Sequence, residues 1–179
     1  NAEGYSDKRR TLLPSVDACD VAVGDLDGSG RDDIVLCQCR SETSFTSAAL
    51  VYQSTADGID PSPRHLVCED ARRVLLARPA ADDSYQVVLA NRFARSALGD
   101  TPVSIYFGGS EGFAPERRQD LPGWGAVEAI CCDIDDDGYV DLVLANAAEE
   151  SVQRDPGSYV LCNGPEGFDQ EPRWKLPTT

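Results

Sequence analysis

The sequence is poor in positive charge and in histidine, and it contains no methionine. Its 179 residues include 16 Lys and Arg against 31 Asp and Glu, so the formal net charge is −15. Recognition of phosphate requires patches of Lys and Arg, and this deficit argues against nucleic-acid binding. The chain also lacks an apolar run near the roughly 20 residues that a transmembrane helix needs. We therefore expect neither a nucleic-acid partner nor a membrane span.

A zinc site of the usual Cys/His type is also unsupported. The only histidine is His65, and no two cysteines have the Cys-x₂-Cys spacing of zinc ligands. The chain nevertheless has seven cysteines, at positions 19, 37, 39, 68, 131, 132 and 162. Cysteines without a metal pattern suggest disulfides and an oxidising compartment, and together with the acidic charge they predict an extracellular location. The odd number leaves at least one thiol free or paired with another chain.

The sequence does contain a motif that occurs three times, at intervals of about 54 residues. Each copy consists of a short apolar run, a small or polar turn, an acidic residue, a glycine and a large apolar residue. The copies lie at residues 51–59, 105–113 and 160–168. A second apolar block repeats in step at 34–36, 87–89 and 142–144, and the latter two continue as Ala-Asn. Repeats of this length indicate stacked supersecondary units.

Each unit contains about four β-type runs separated by turns rich in Gly, Pro, Asp and Asn. The predicted strands of the first unit are residues 20–24, 33–37, 49–53 and 64–68. Four antiparallel strands per repeat are typical of a β-propeller blade. We therefore predict an all-β fold of three blades, at residues 15–68, 69–122 and 123–179. Residues 1–14 are predicted to be the last strand of a preceding blade.

Three blades and one strand cannot close a ring, because propellers need about 4–8 blades. Three arrangements remain open at this point. The first is that the chain is part of a longer one, and the second is that blades from other subunits complete the ring. The third is an open stack whose edge strands need cover.

Two aspartate-rich segments lie between the first two predicted strands of the first and third units. Residues 25–33 read DLDGSGRDD and residues 133–141 read DIDDDGYVD, so both fit D-x-D-x-[S/D]-G-x-x-D. Calcium takes about 6–8 oxygen ligands, alternate residues of a curled loop point inward, and glycine at position 6 permits the sharp turn. The predicted ligands of two Ca²⁺ ions are Asp25, Asp27, Ser29, Arg31 through its carbonyl and Asp33, and then Asp133, Asp135, Asp137, Tyr139 through its carbonyl and Asp141.

The spacing differs from that of an EF-hand, which ends with Glu at position 12 and is flanked by helices. Here Asp stands at position 9 and the flanking residues are strand-like. The alternative interpretation is a polar Asp/Gly turn that binds no ion. The middle unit has Arg78 and Gln86 at the first and last ligand positions, so we predict no metal in its loop.

At these residues the chain resembles the FG-GAP/VCBS-type repeats, as in the β-propeller of integrin α-subunits. The alternating apolar pattern around both aspartate motifs and the run Phe-Gly-Gly-Ser-Glu-Gly-Phe at 107–113 are similar to the family pattern. The resemblance implies a β-propeller with calcium between the first two strands of some blades. It also implies a secreted or cell-surface setting and a binding or adhesive role. The metal-free middle loop, Ser29 in place of an acid and the three units depart from the pattern.

One disulfide follows from the expected pairing of the first two strands. If Gly24 pairs with Ile34, Cys19 lies opposite Cys39, and directly opposed residues suit a disulfide. We predict a Cys19–Cys39 bridge and leave the partners of the other cysteines open.

Outside the aspartate loops, no nucleophile–base pair or acid pair supports catalysis, so we expect no enzymatic activity. The leading hypothesis is an extracellular calcium-binding module whose propeller surface binds a protein or a glycan. One alternative is a structural subunit of an extracellular assembly or filament, with copies of itself or neighbouring subunits as partners. Another is a non-catalytic region of a secreted enzyme.

Overall fold

The computed structural model describes residues 10–78, 85–93, 100–109, 112–147 and 156–177. These ranges contain fourteen β-strands and a single 3₁₀ turn at Pro115–Arg117. Within them, no helix has the length and apolar character needed to cross a membrane. The prediction of an all-β fold is confirmed.

The strands form three four-stranded antiparallel sheets. The first sheet contains β1 (Ala18–Gly24), β2 (Asp33–Gln38), β3 (Thr46–Tyr52) and β6 (Arg64–Glu69), with a small hairpin of β4 (Ser54–Thr55) and β5 (Gly58–Ile59) beside it. The second contains β7 (Ala71–Ala77), β8 (Gln86–Asn91), β9 (Val103–Phe107) and β10 (Arg118–Leu121). The third contains β11 (Ala126–Cys132), β12 (Asp141–Asn146), β13 (Ser158–Leu161) and β14 (Trp174–Leu176). In the second and third sheets neighbouring strands follow one another along the chain, so each is a simple meander; in the first sheet the β4–β5 hairpin separates β3 from β6 along the chain.

The sheets pack face to face around two apolar cores. One core lies between the first and second sheets, where Val35 and Val51 pack with Val87 and Leu89. The other lies between the second and third sheets and includes Val88, Ile105 and Leu142. Strand β8 is buried along its whole length because the middle sheet has a neighbour on both faces. This two-sided burial explains its continuous apolar run, where a half-exposed strand would alternate.

An amide side chain ties the ends of each sheet together. Its carbonyl oxygen accepts the backbone amide two residues before the first strand, and its NH₂ group donates to a carbonyl near the start of the third strand. The side chains and partners are Gln38 (Val16 N and Ala48 O, both 2.8 Å), Asn91 (Glu69 N, 3.2 Å; Pro102 O, 2.8 Å) and Asn146 (Trp124 N, 3.2 Å; Gly157 O, 2.9 Å). We refer to them as the amide clamps. They account for the repeated Ala-Asn of the sequence.

Residues 10–14, the described part of the predicted preceding strand, do not form a strand. A strand needs a hydrogen-bonded neighbour, and no described strand pairs with this segment. The Tyr52 hydroxyl donates to the Pro14 carbonyl, whereas the Tyr106 hydroxyl donates to the carbonyl of Val67, 2.8 Å away on the outer strand of the sheet before it. Pro14 therefore has the same relation to Tyr52 that Val67 has to Tyr106.

Candidate metal centres

The first aspartate loop joins β1 to β2, and backbone amides fix its shape. The Asp25 carboxylate accepts hydrogen bonds from the Ser29 amide (2.9 Å) and the Gly30 amide (2.8 Å). Gly28 and Gly30 have φ angles of +73° and +80°, in the left-handed region that glycine enters without steric cost. The loop therefore curls tightly around the carboxylate at its first ligand position.

Asp33 closes this loop from a fully buried position. One of its carboxylate oxygens accepts the Leu26 amide (3.2 Å), and the other accepts the Ser54 amide from β4 (2.7 Å). Burial is the main cause that raises the pKa of Asp33, and the nearby charges of Asp27 and Asp25 raise it further, against the lowering effect of the two amides. A cation among these carboxylates would stabilise the ionised form of Asp33.

The third-sheet loop, between β11 and β12, repeats this arrangement bond for bond. Asp133 accepts the amides of Asp137 (3.2 Å) and Gly138 (2.9 Å). Asp141 is fully buried and accepts the amides of Ile134 and Asn163, both at 2.8 Å. Two loops of different sequence thus hold the first and ninth positions in the same way.

The predicted carboxylates converge in both loops, with one difference. In the first loop, oxygens of Asp25, Asp27 and Asp33 lie within 4.8 Å of one another. In the third-sheet loop the corresponding group is Asp133, Asp135 and Asp137. Asp141 instead joins Asp135 and the Cys162 sulfur in a second group, also within 4.8 Å.

The remaining predicted ligands of the first loop are placed to help an ion. The Ser29 hydroxyl oxygen is buried and forms no hydrogen bond of normal geometry, although its closeness to Asp27 lowers the pKa of that carboxyl. The Arg31 guanidinium points to the Ser54 carbonyl (3.2 Å), which leaves only its backbone carbonyl for the predicted role. A buried hydroxyl without a partner beside three carboxylates fits a hard cation such as Ca²⁺.

The third-sheet loop already contains a positive charge. Arg173, just before β14, donates to Asp135 at 2.6 Å and to Asp169 at 3.2 Å. The guanidinium occupies one side of the carboxylate group, where it offsets part of the repulsion among the acids. Tyr139 donates its amide to Asp137 (2.9 Å), and its predicted role again concerns only its carbonyl.

Most of the middle loop, predicted to bind no metal, lies outside the described residues. The guanidinium of Arg78 stacks over the Tyr85 ring, with 5.3 Å between its central carbon and the ring centroid. The described positions of this loop, Arg78, Tyr85 and Gln86, provide no carboxylate.

The predicted disulfide is not formed, because all seven cysteines are free thiols. The predicted register was also wrong by one residue, since Gly24 pairs with Asp33 and a bulge lies between Ala18 and Asp20. The bulge turns the Cys19 thiol toward the Ala71 carbonyl of the second sheet (3.2 Å).

Sequence reasoning missed several residues that complete the two loops. Ser54 and Asn163 supply the amides that hold the ninth position, and Arg173 and Cys162 lie against the third-sheet loop. Ser54 and Asn163 occupy the same position of the repeated motif, directly after Gln53 and Cys162. This alignment was the available signal. The contact of Arg173 is set by the packing of the third sheet.

The described residues thus define a class of all-β protein: stacked four-stranded antiparallel sheets with two carboxylate-lined hairpin loops. Comparison of the sequence with protein-family models and with curated proteins finds no match. The case for a function therefore depends on the geometry of the loops and the sequence pattern.

Proposed function

We propose that the chain is a calcium-binding module of propeller-type blades, in which two Ca²⁺ ions stiffen the aspartate loops and the surface binds a protein or glycan outside the cell. The observation that carries this proposal is the shared geometry of the two loops. In each, amides hold the first and ninth carboxylates while further acidic side chains converge beside them. Hard oxygen donors at this density suit Ca²⁺.

The position of the loops supports a structural role for the ions. Each loop joins the first two strands of a sheet, and its ninth-position carboxylate also holds the chain after the third strand. An ion there would link three strands of one sheet. The sequence resemblance to FG-GAP/VCBS-type repeats points in the same direction, including to a secreted or cell-surface setting.

Assembly with copies of itself is a second candidate function, because the stack ends in exposed apolar faces. On the first sheet Val21 and Val23 are 54% and 57% exposed. On the third sheet Ile130 is 54% exposed and Trp174 is 43% exposed. Apolar surface of this kind marks interaction sites when the residues are adjacent.

Thermal unfolding with calcium and with EGTA tests the leading proposal. At a free calcium concentration 100-fold above Kd, one site adds about 2.7 kcal/mol to the free energy of unfolding, or about 5–10 °C in Tm. The double variant Asp27→Asn with Asp135→Asn should lose this shift. The control Asp57→Asn, at an exposed carboxylate outside both loops, should keep it. Equal Tm values for the wild-type chain in both conditions would refute calcium binding.

A further inference from the structure

Cys162 directly follows β13 and is fully buried beside the third-sheet loop. Its sulfur and one carboxylate oxygen from each of Asp135 and Asp141 lie within 4.8 Å of one another. Among the described residues, no hydrogen bond uses this thiol. A buried polar group without a partner normally has a compensating interaction, and here it faces two carboxylates.

The first loop provides the comparison within the same chain. Its equivalent of Cys162 in the repeated motif is Gln53, which lines a small cleft with Asp27 and Asp33. At this position of the motif the two loops therefore offer different ligand atoms, an amide oxygen in the first and a sulfur in the third-sheet loop, in addition to the difference between Ser29 and Asp137 within the loops. Hard cations prefer oxygen ligands, whereas thiolates select softer ions such as Zn²⁺ and Cd²⁺.

We propose that Cys162, Asp135 and Asp141 form a binding site for a thiophilic divalent cation, of which Zn²⁺ is the typical biological example. The two carboxylates and one thiolate provide three protein ligands, and water would supply the fourth in a tetrahedral site. Zn–S bonds of about 2.3 Å and Zn–O bonds of about 2.0–2.2 Å require only a modest approach of the three atoms. On binding, the Cys162 sulfur releases its proton to solvent and coordinates as the thiolate.

Surrounding groups already orient the two carboxylates. The amides of Ile134 and Asn163 hold Asp141, and Arg173 donates to one oxygen of Asp135. Such outer hydrogen bonds fix the direction of metal ligands. The site shares Asp135 and Asp141 with the predicted calcium ligands, but it depends on a sulfur that the calcium proposal does not use.

Cadmium titration of the reduced full chain tests the site, because thiolate–Cd²⁺ bonds absorb in the ultraviolet. We expect a charge-transfer band that saturates at one equivalent in the wild-type chain. The band should be absent in Cys162→Ser and retained in Cys132→Ser, the matched control at an exposed cysteine. A band of equal size and affinity in Cys162→Ser would overturn the proposal, as would no band in the wild-type chain.

Two further variants test the site in case Cys162→Ser does not fold. Asp135→Asn keeps the thiol and should weaken Cd²⁺ binding at least about tenfold. Gln53→Cys places a thiol beside the first loop and should add a second equivalent of the band. If Asp135→Asn binds Cd²⁺ as tightly as the wild-type chain, the assigned ligand set is wrong.

Terbium luminescence separates this proposal from calcium binding. Tb³⁺ replaces Ca²⁺ at oxygen sites, and Tyr139 in the loop can sensitise its emission. A Cd²⁺ band without a calcium-sensitive Tb³⁺ signal would sink the calcium proposal and leave the thiophilic site intact. A calcium-sensitive Tb³⁺ signal in a wild-type chain without the Cd²⁺ band would refute the thiophilic site and leave the calcium proposal intact.

Discussion

At the residue scale, the aspartates of each loop divide into two groups. Those at positions 1 and 9, such as Asp25 and Asp33, accept hydrogen bonds from two backbone amides each. Those at position 3 accept fewer backbone amides: Asp27 accepts the Ser29 amide, and Asp135 is instead paired with the Arg173 guanidinium. Substitution at positions 1 or 9 should therefore mainly lower stability, whereas substitution at position 3 should mainly weaken metal binding.

Asp33→Ala should lower the free energy of unfolding in EGTA by about 2–4 kcal/mol, because it leaves the Leu26 and Ser54 amides without their acceptor. Asp27→Asn should change it by no more than about 0.5 kcal/mol, since Asp27 is exposed. Urea unfolding in EGTA measures both. If Asp33→Ala is as stable as the wild-type chain, the amides do not depend on this carboxylate.

Cys19 should react slowly with thiol reagents despite lying near the surface. Burial of the sulfur is the main cause that raises the pKa of Cys19 to about 12, and the neighbouring Cys39 raises it further. Only the thiolate reacts, so its alkylation rate should keep increasing with pH well above pH 9. Mass spectrometry after timed alkylation measures this, with the exposed Cys132 as the fast reference. Equally fast labelling of both at pH 8 would contradict it.

At the element scale, the amide clamps and the loops explain how such short strands are held in place within each sheet. Each sheet has a bulge near the start of its first strand, between Ala18 and Asp20, Ala71 and Arg73, and Ala126 and Glu128. The residue just before each bulge pairs with the clamp: Gln38, Asn91 or Asn146. The clamp supplies two hydrogen bonds at the end of the sheet where the bulge disturbs the ladder.

Asn91→Ala and Asn146→Ala should each lower the free energy of unfolding by about 2–3 kcal/mol. Each change leaves a buried or half-buried amide and carbonyl without their side-chain partner. Chemical denaturation compares them with Gln170→Ala, whose exposed side chain makes only one local hydrogen bond. If the free energy of unfolding falls no further in these variants than in Gln170→Ala, the amide clamps contribute little to stability.

At the scale of the whole molecule, the three sheets are not equivalent. Within the part of the chain that the structure describes, the second sheet buries both faces, whereas the first and third each bury one. When the repeats are aligned, the exposed face of the first sheet is equivalent to that face of the second sheet which packs against the first sheet. The free face of the third sheet corresponds to the face that the second packs against the third. The two end faces are therefore of complementary kinds.

If the assembly candidate is correct, the chain should associate through these unlike faces. Light scattering at increasing concentration should give masses above that of one chain, and Val23→Asp or Ile130→Asp should reduce them. A mixture of the two variants should recover a dimer, because each retains one intact face. A chain that stays monomeric at all concentrations would remove this candidate and leave the calcium proposal untouched.

Much of the fold follows from local sequence patterns. Alternating and continuous apolar runs predict the strands, as the predicted 64–68 lies within Arg64–Glu69. The D-x-D-x-[S/D]-G spacing predicts curled hairpin loops, because the glycine position and the backbone geometry are local properties. The register of β1 against β2 was not predicted, because the alternating apolar pattern gives no sign of the bulge between Ala18 and Asp20.

The sequence by itself determined the all-β class, the two aspartate loops and most of their converging carboxylates, since each depends on neighbours along the chain. Only the tertiary structure decided what surrounds the loops. The burial of Asp33 and Asp141, the guanidinium of Arg173 and the thiol of Cys162 depend on segments brought together by sheet packing. Such contacts cross twenty or more residues of sequence, and no local pattern encodes them.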